Sequence, residues 1–277
     1  MDEKYNKTTI EFDGDGHHLN GFVMSHTAEM CKTNPTLIES IKQTKEKQFV
    51  LYEDKVLDIV CDGPTTNIII SKKRSFEAAK TYKGKKVAVL NFANNHRVGG
   101  APFWSNAQEE SLCRESTLYE CLQKEKESFY KKHSKDFEEG KLDYWGNGDL
   151  IYSPDVVVFK NGDGTPTLLQ EDEWFKVDII TLAAPECNRF DIGNADDYVE
   201  KVLPRVKQLF SVAKQQGVEV LILGAWGCGA FRNPPKHIAE VFKYCSLLYH
   251  FDTIEFAIYC RDWETNNYET FKKMFAK

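Results

Sequence analysis

"VEVLILGAWGCGAFRNPP", residues Val218 to Pro235, decides the fold. Val218 to Leu223 is a short, largely apolar run, as in a strand covered on both faces. Gly224 ends it, and Gly227 and Gly229 follow in a loop. The loop leads to Asn233, a candidate N-cap, and Pro234, a residue suited to the first helical position. A strand passing through a glycine loop into a capped helix is a building unit of an α/β layered domain. Free backbone N–H groups in such a loop favour an anion such as a phosphate.

The same reading extends outward. VAVLNF (Val87–Phe92) and VDIITL (Val177–Leu182) read as buried strands, and DVVVFK (Asp155–Lys160) and IEFAIYC (Ile254–Cys260) add two more. Helical spacing marks Tyr198–Gln216, which Pro204 should kink or restart, and Asn233–Leu248. Asn161-Gly162-Asp163-Gly164 reads as a turn joining two strands as a hairpin. Alternation from about residue 85 predicts a mixed, mostly parallel sheet with helices on both faces. Upstream the pattern is less regular. It predicts a helix over Ala28–Gln43 with Pro35 near its middle, short strands VLDIV (Val56–Val60) and NIII (Asn67–Ile70), and a helix start at Ser75 with Glu77 in the next turn. Residues 1–75 are therefore expected as an accessory extension packed on a core domain of residues 76–277. The charge-rich stretch Lys124–Glu139 reads as a solvated helix face.

Composition narrows the function. The chain has 277 residues, 42% hydrophobic and 28% charged, which suits a soluble globular protein. A net charge of −6 argues against general nucleic-acid binding through phosphate contacts. No apolar run is long enough to span a membrane, and MDEKYNKTTIEFDGDGHH at the start lacks the apolar stretch of a signal peptide. The eight cysteines stand no closer than eight residues apart, and His17 and His18 fall in an expected turn, so no metal site is expected. Without a secretory signal the thiols read as reduced, and the compartment as cytoplasmic or nuclear.

A second loop carries the chemistry. After VAVLNF comes FANNHRVGG, and the following VGGAPFWSNAQEESLCRES (Val98–Ser116) sets Gly99-Gly100 ahead of Gln108-Glu109-Glu110. Two carboxylates in the first turn of a helix are either good capping for the helix dipole or an acid/base pair aimed at a ligand. In an open α/β sheet both loops should lie beyond the carboxyl ends of the strands, where ligands gather. Trp226 reads as core. Cys228 reads as a small residue in the phosphate loop; as a nucleophile it would need a base such as His96. Phe103 and Trp104 would either line the rim of the pocket or cover the extension.

These motifs resemble those of poly(ADP-ribose) glycohydrolases, which are built on a macrodomain. Gly99-Gly100 with Gln108-Glu109-Glu110 is similar to the family's Gly-Gly-Gly…Gln-Glu-Glu signature. Phe92-Ala93-Asn94 resembles the Phe-Ala-Asn before the glycines, and Trp226 to Phe231 the Trp-Gly-Cys-Gly-(Val/Ala)-Phe diphosphate loop. The wider context, over roughly residues 65–260, is closest to the microbial-type branch. One departure stands out: the family has three glycines in a row where this chain has two, so that Val98 replaces the first or Ala101 the third.

The resemblance implies a three-layer α/β/α macrodomain with a mixed, mostly parallel sheet and an N-terminal extension. It implies that Gly227, Cys228, Gly229, Ala230 and Phe231 cradle a diphosphate, with Phe231 packed on the distal ribose. Asn94, Gly99 and Gly100 would shape the pocket for that ribose, and Gln108, Glu109 and Glu110 would face the ribose–ribose bond. Glu110 is then the general acid/base, with Glu109 positioning substrate or tuning its neighbour, and no cofactor or metal is required. The implied partner is ADP-ribose or poly(ADP-ribose) on modified proteins, bound by a monomer without nucleic acid or membrane. Two other readings stay open: a reader that binds ADP-ribose without cleaving it, and a hydrolase of mono-ADP-ribose.

Overall fold

The computed structural model describes residues 16–53, 64–162 and 165–276. Seven strands form one sheet: β1 (Phe49–Leu51), β2 (Asn67–Ser71), β3 (Val87–Phe92), β4 (Leu150–Val158), β5 (Phe175–Leu182), β6 (Val220–Leu223) and β7 (Thr253–Ala257). Their order is β1-β4-β5-β3-β6-β7-β2. The β5–β3, β3–β6, β6–β7 and β7–β2 pairs are parallel, and β1–β4 and β4–β5 are antiparallel. This is the mixed, mostly parallel sheet expected. Connecting segments supply nine α-helices among the described residues: α1 (Gly16–Thr33), α2 (Pro35–Lys47), α3 (Ser75–Lys80), α4 (Gln108–Glu115), α5 (Leu118–Leu122), α6 (Lys132–Glu138), α7 (Ala195–Gln215), α8 (Pro235–Leu248) and α9 (Asn266–Phe275).

Strand alternation splits the core into two layers. Ala88 and Leu90 on β3 pack with apolar residues of α7, α8 and α9 on one face. Val87 and Val89 pack with Phe76, Ala78 and Ala79 of α3 and with Leu112 and Cys113 of α4 on the other. Successive strand residues point to opposite faces, so a run without polar breaks was the signal of double coverage.

Several local expectations are corrected. The helix foreseen over Ala28–Gln43 is two helices. Asn34 stands between them, and its Oδ1 accepts the Thr36 and Leu37 N–H groups at 3.0 and 3.1 Å as Pro35 opens α2. Pro35 lacks the N–H that a helix interior needs, so it starts a helix instead of occupying the middle of one. His17 and His18 lie within α1 rather than in a turn. Pro204 sits inside α7, which runs unbroken for 21 residues and does not restart there. α8 starts at Pro235, not Asn233. Lys124–Glu139 is not simply solvated, because Phe129, Tyr130 and His133 are buried and anchor it to the core. VLDIV falls outside the described residues, as do Asp163 and Gly164. The chain flanking those two makes one antiparallel bridge, Lys160 to Leu168. Both edge strands, β1 and β2, come from before residue 75, so the division expected there runs through the sheet itself.

Candidate active site

β3 and β6 are parallel neighbours, so the loops that follow them leave the same edge of the sheet. They meet over one cavity of about 390 Å³, lined by Asn94, Gln108, Glu109 and Glu110 from the first and by Gly227, Gly229, Ala230 and Phe231 from the second.

The first loop is held from beneath. Gln108 turns its amide toward the sheet: Oε1 accepts the Phe92 N–H at 2.9 Å, while Nε2 donates to the Leu90 carbonyl at 2.8 Å and to Ser75 Oγ at 3.0 Å. This fixes the start of α4 against the end of β3. Glu109 is buried. Its Oε2 accepts the Asn94 N–H at 2.8 Å, and its Oε1 accepts from Asn91 Nδ2 at 3.1 Å. Burial pushes its carboxyl up to about 8, against the two hydrogen bonds that favour the anion and with the help of neighbouring Glu110. Glu110 is buried too, and its Oε1 accepts the Ala101 N–H at 3.0 Å. Among the described residues no donor reaches its other oxygen. Asn94 Oδ1 accepts the His96 and Arg97 N–H groups, so this side chain closes the turn that precedes the glycines.

Gly99 and Gly100 do not line the cavity; they pass under the carboxylates. Both have left-handed backbones, at φ +63° and +67°. A Cβ on Gly100 would lie 2.4 Å from Glu110 Oε1 and 3.0 Å from Glu109 Oε2. A glycine is needed here because the backbone conformation and the carboxylates both exclude a side chain. Neither Val98 nor Ala101 lines the cavity, and Val98 packs against the core. The departure from three glycines therefore puts no side chain into the pocket. Arg114 holds the rest of the loop, donating from Nη1 to the Pro102 and Ser105 carbonyls at 2.8 and 2.7 Å. Asn20 of α1 donates to the Trp104 carbonyl at 3.1 Å, so the loop lies against α1 while Ser105, Asn106 and Ala107 reach the cavity.

The second loop is knotted by Asn233. Its Nδ2 donates to the Pro185 and Gly227 carbonyls at 2.8 and 3.0 Å, and its Oδ1 accepts from Tyr198 Oη at 2.6 Å and Cys187 Sγ at 3.2 Å. With these partners Asn233 does not cap α8, and Pro234 stands at the N-cap instead. Among the described residues no acceptor takes the N–H groups of Gly227, Gly229, Ala230 or Phe231, whereas that of Cys228 is used within the turn, on the Ala225 carbonyl. The loop thus offers donors to an anion. Cys228 does not line the cavity. Its thiol turns back to the Trp226 carbonyl at 3.5 Å, and burial pushes its pKa up, which disfavours the thiolate a nucleophile needs. His96 packs on Phe137 beside a separate crevice. Trp226 is core, fully buried, with Nε1 donating to the Leu182 carbonyl at 2.9 Å.

Asn91, Arg114 and Arg74 were not singled out from the sequence, and Ser75 was read only as a helix start. Asn91 carried a signal, as the one polar residue in VAVLNF; the part Ser75 plays under Gln108 depends on a partner 33 residues away.

A family model for the microbial-type PARG catalytic domain matches residues 24–161. Among solved structures, the chain is similar to poly(ADP-ribose) glycohydrolase (PARG) from Thermomonospora curvata at 27% identity and a TM-score of 0.83, over 93% of this chain and 100% of that one. The same enzyme bound to the inhibitor ADP-HPD matches at 28% identity and a TM-score of 0.81, with the same coverage. PARG from Deinococcus radiodurans in complex with ADP-ribose matches at 25% identity and a TM-score of 0.74, over 84% of this chain and 96% of that one. A search of curated proteins finds no match. The family model spans the stretch that carries both carboxylates, and the solved structures follow nearly the whole sheet. This chain belongs to the microbial-type poly(ADP-ribose) glycohydrolase family.

Proposed function

We propose that the protein hydrolyses the ribose–ribose bonds of poly(ADP-ribose) and releases ADP-ribose. One observation carries the reading: two buried carboxylates and a row of free backbone N–H groups face one cavity from adjacent parallel strands. The N–H groups suit a diphosphate, and the carboxylates suit glycosidic chemistry one ribose away. Glu110 is the general acid/base, because among the described residues one of its oxygens has no partner. Glu110 in its acid form gives its proton to the departing oxygen as the C–O bond breaks. The resulting carboxylate takes a proton from water as the water oxygen bonds to the oxocarbenium-like carbon. Glu109 has both oxygens engaged and sits largely protonated at neutral pH, which suits it to positioning rather than to moving a proton to substrate.

A reader without hydrolysis was suggested by the shortened glycine run. The packing of Val98 and Ala101 outside the cavity removes that ground. Hydrolysis of labelled poly(ADP-ribose), with an ADP-ribose melting series beside it, tests the proposal. Wild type should release ADP-ribose, and ADP-ribose should raise Tm by mass action. Glu110→Gln should lose hydrolysis by at least about a hundredfold while keeping the Tm shift. An unmoved Tm at saturating ADP-ribose would sink the ligand. A Tm shift without cleavage of polymer would leave a reader or a mono-ADP-ribose hydrolase, and a panel of mono-ADP-ribosylated substrates separates those two.

A further inference from the structure

The cavity continues past the two loops. Its far wall includes Tyr259, two residues beyond β7, and Arg74, three beyond β2. The order β3-β6-β7 puts Tyr259 on the opposite side of the β6 loop from Glu109 and Glu110, while Arg74, whose neighbour Ser75 accepts from Gln108 Nε2, links that end of the cavity back to the start of α4. Outward from it runs a corner of paired cations and rings. The Arg74 guanidinium lies 3.9 Å from the centre of the Tyr259 ring, and the Arg261 guanidinium 5.6 Å from that of Trp263. Lys72 and Lys272 stand 5.2 and 5.7 Å from that of Tyr268. Trp263 is 79% exposed and Tyr259 52%. Large rings left in water beside cations suit a single strand of bases and phosphates, whose bases stack while the cations follow the backbone. Asp262, Glu264 and Glu269 share the corner. Charge alone would therefore hold a polyanion poorly, and the rings must do the recognising.

We propose that this corner binds the stretch of poly(ADP-ribose) that continues beyond the unit held in the cavity. The inference rests on the function proposed above. With the bond to be cut at the carboxylates and the diphosphate on the β6 loop, the adenosine end of that unit extends toward Arg74 and Tyr259. Its ribose is where the rest of the chain attaches, and the next adenine and diphosphate come within reach of Trp263, Arg261 and Lys72. The site then grips chain interiors as well as ends. Poly(ADP-ribose) is favoured over single-stranded nucleic acid because the corner is continuous with the cavity.

The test is the double variant Arg261→Ala/Trp263→Ala, whose positions do not line the cavity, with Trp263→Tyr as the conservative control. Affinity is measured for ADP-ribose, for long poly(ADP-ribose) and for oligodeoxyadenylate. The double variant should bind ADP-ribose as wild type does, lose about tenfold or more in affinity for the long chain, and show a shallower salt dependence. Trp263→Tyr should keep most of the long-chain affinity. Unchanged long-chain affinity in a double variant that still binds ADP-ribose overturns the proposal. So does wild type binding oligodeoxyadenylate as tightly as poly(ADP-ribose), which makes the corner a general single-strand surface. Failure of wild type to bind ADP-ribose at all sinks the underlying function, and this inference with it.

Discussion

Glu109 and Glu110 are neighbours in sequence and both buried, and their partners are what separate their proposed tasks: both Glu109 oxygens are engaged, while among the described residues one Glu110 oxygen is not. The Glu109 carboxyl holds its proton to about pH 8 when folded, against an ordinary value of 4.5. Between those values the folded state carries a proton that the unfolded chain has released, so this group's contribution to stability falls as pH rises through the window. Melting temperatures taken from about pH 5 to about pH 7 should show that decline in wild type, and Glu109→Gln should flatten it. The variant's amide faces a donor from Asn91 or Asn94, so its absolute Tm drops and the slope is the readout. An equal slope in both proteins would mean that Glu109 is charged throughout. The pair itself was legible in the sequence. Its division of labour was not, because that depends on Asn91, Asn94 and Ala101, which the fold brings to the two side chains.

At the scale of elements, the glycine turn and the Asn233 knot fix where the two loops end. Gly100→Ala would place a methyl 2.4 Å from Glu110 Oε1 on a backbone at φ +67°. The carboxylate must move, and a shift of about 1 Å at a reacting group can cost about a hundredfold in rate. Hydrolysis should fall on that scale while the ADP-ribose Tm shift persists, since the proposed diphosphate contacts lie on the other loop; loss of both would assign Gly100 to the binding site. Asn233→Ala leaves Tyr198 Oη and the Pro185 carbonyl without their partner in a buried place. It should lower stability by about 1–3 kcal/mol and weaken ADP-ribose, as denaturant titration and calorimetry would read. If the variant binds ADP-ribose at full strength, the loop does not depend on this knot. Asn233 shows the limit of local reading. An Asn before two prolines looks like an N-cap, and only the distant Pro185 and Tyr198 redirect it. β3, β5 and β6 were legible because doubly covered strands carry their evidence in composition. α1 and α2 were merged because Pro35 allows a break or a start, and Asn34 decides between them.

Across the whole molecule, Lys160 joins the end of β4 to α1. Its buried Nζ donates to the Val23 carbonyl at 3.0 Å and to Thr27 Oγ1 at 2.7 Å. Burial lowers its pKa from 10.5 to about 7. Between those values the unfolded chain holds the proton and the folded one does not, so this contribution to stability rises with pH. It opposes that of Glu109, and the two together should give a minimum where the windows meet, at about pH 7–8. Lys160→Met should remove the rise on the alkaline side in a pH series of chemical denaturation; a rise that survives would belong to other groups. Among the described residues no helix is long and apolar enough to cross a membrane.

Among the described residues the edge strand β2 pairs only with β7, and Asn67 meets Thr253 across 186 residues of chain. A nascent chain leaving the ribosome therefore presents β2 well before its partner. Until β7 emerges this apolar strand has an open hydrogen-bonding edge, which invites pairing with other chains. Closing so long a loop before the contact is rewarded makes the last docking step slow. The far wall of the cavity, with Arg74 just beyond β2 and Tyr259 just beyond β7, waits for that docking, and the carboxylates at the start of α4, after β3, can be in place before it closes.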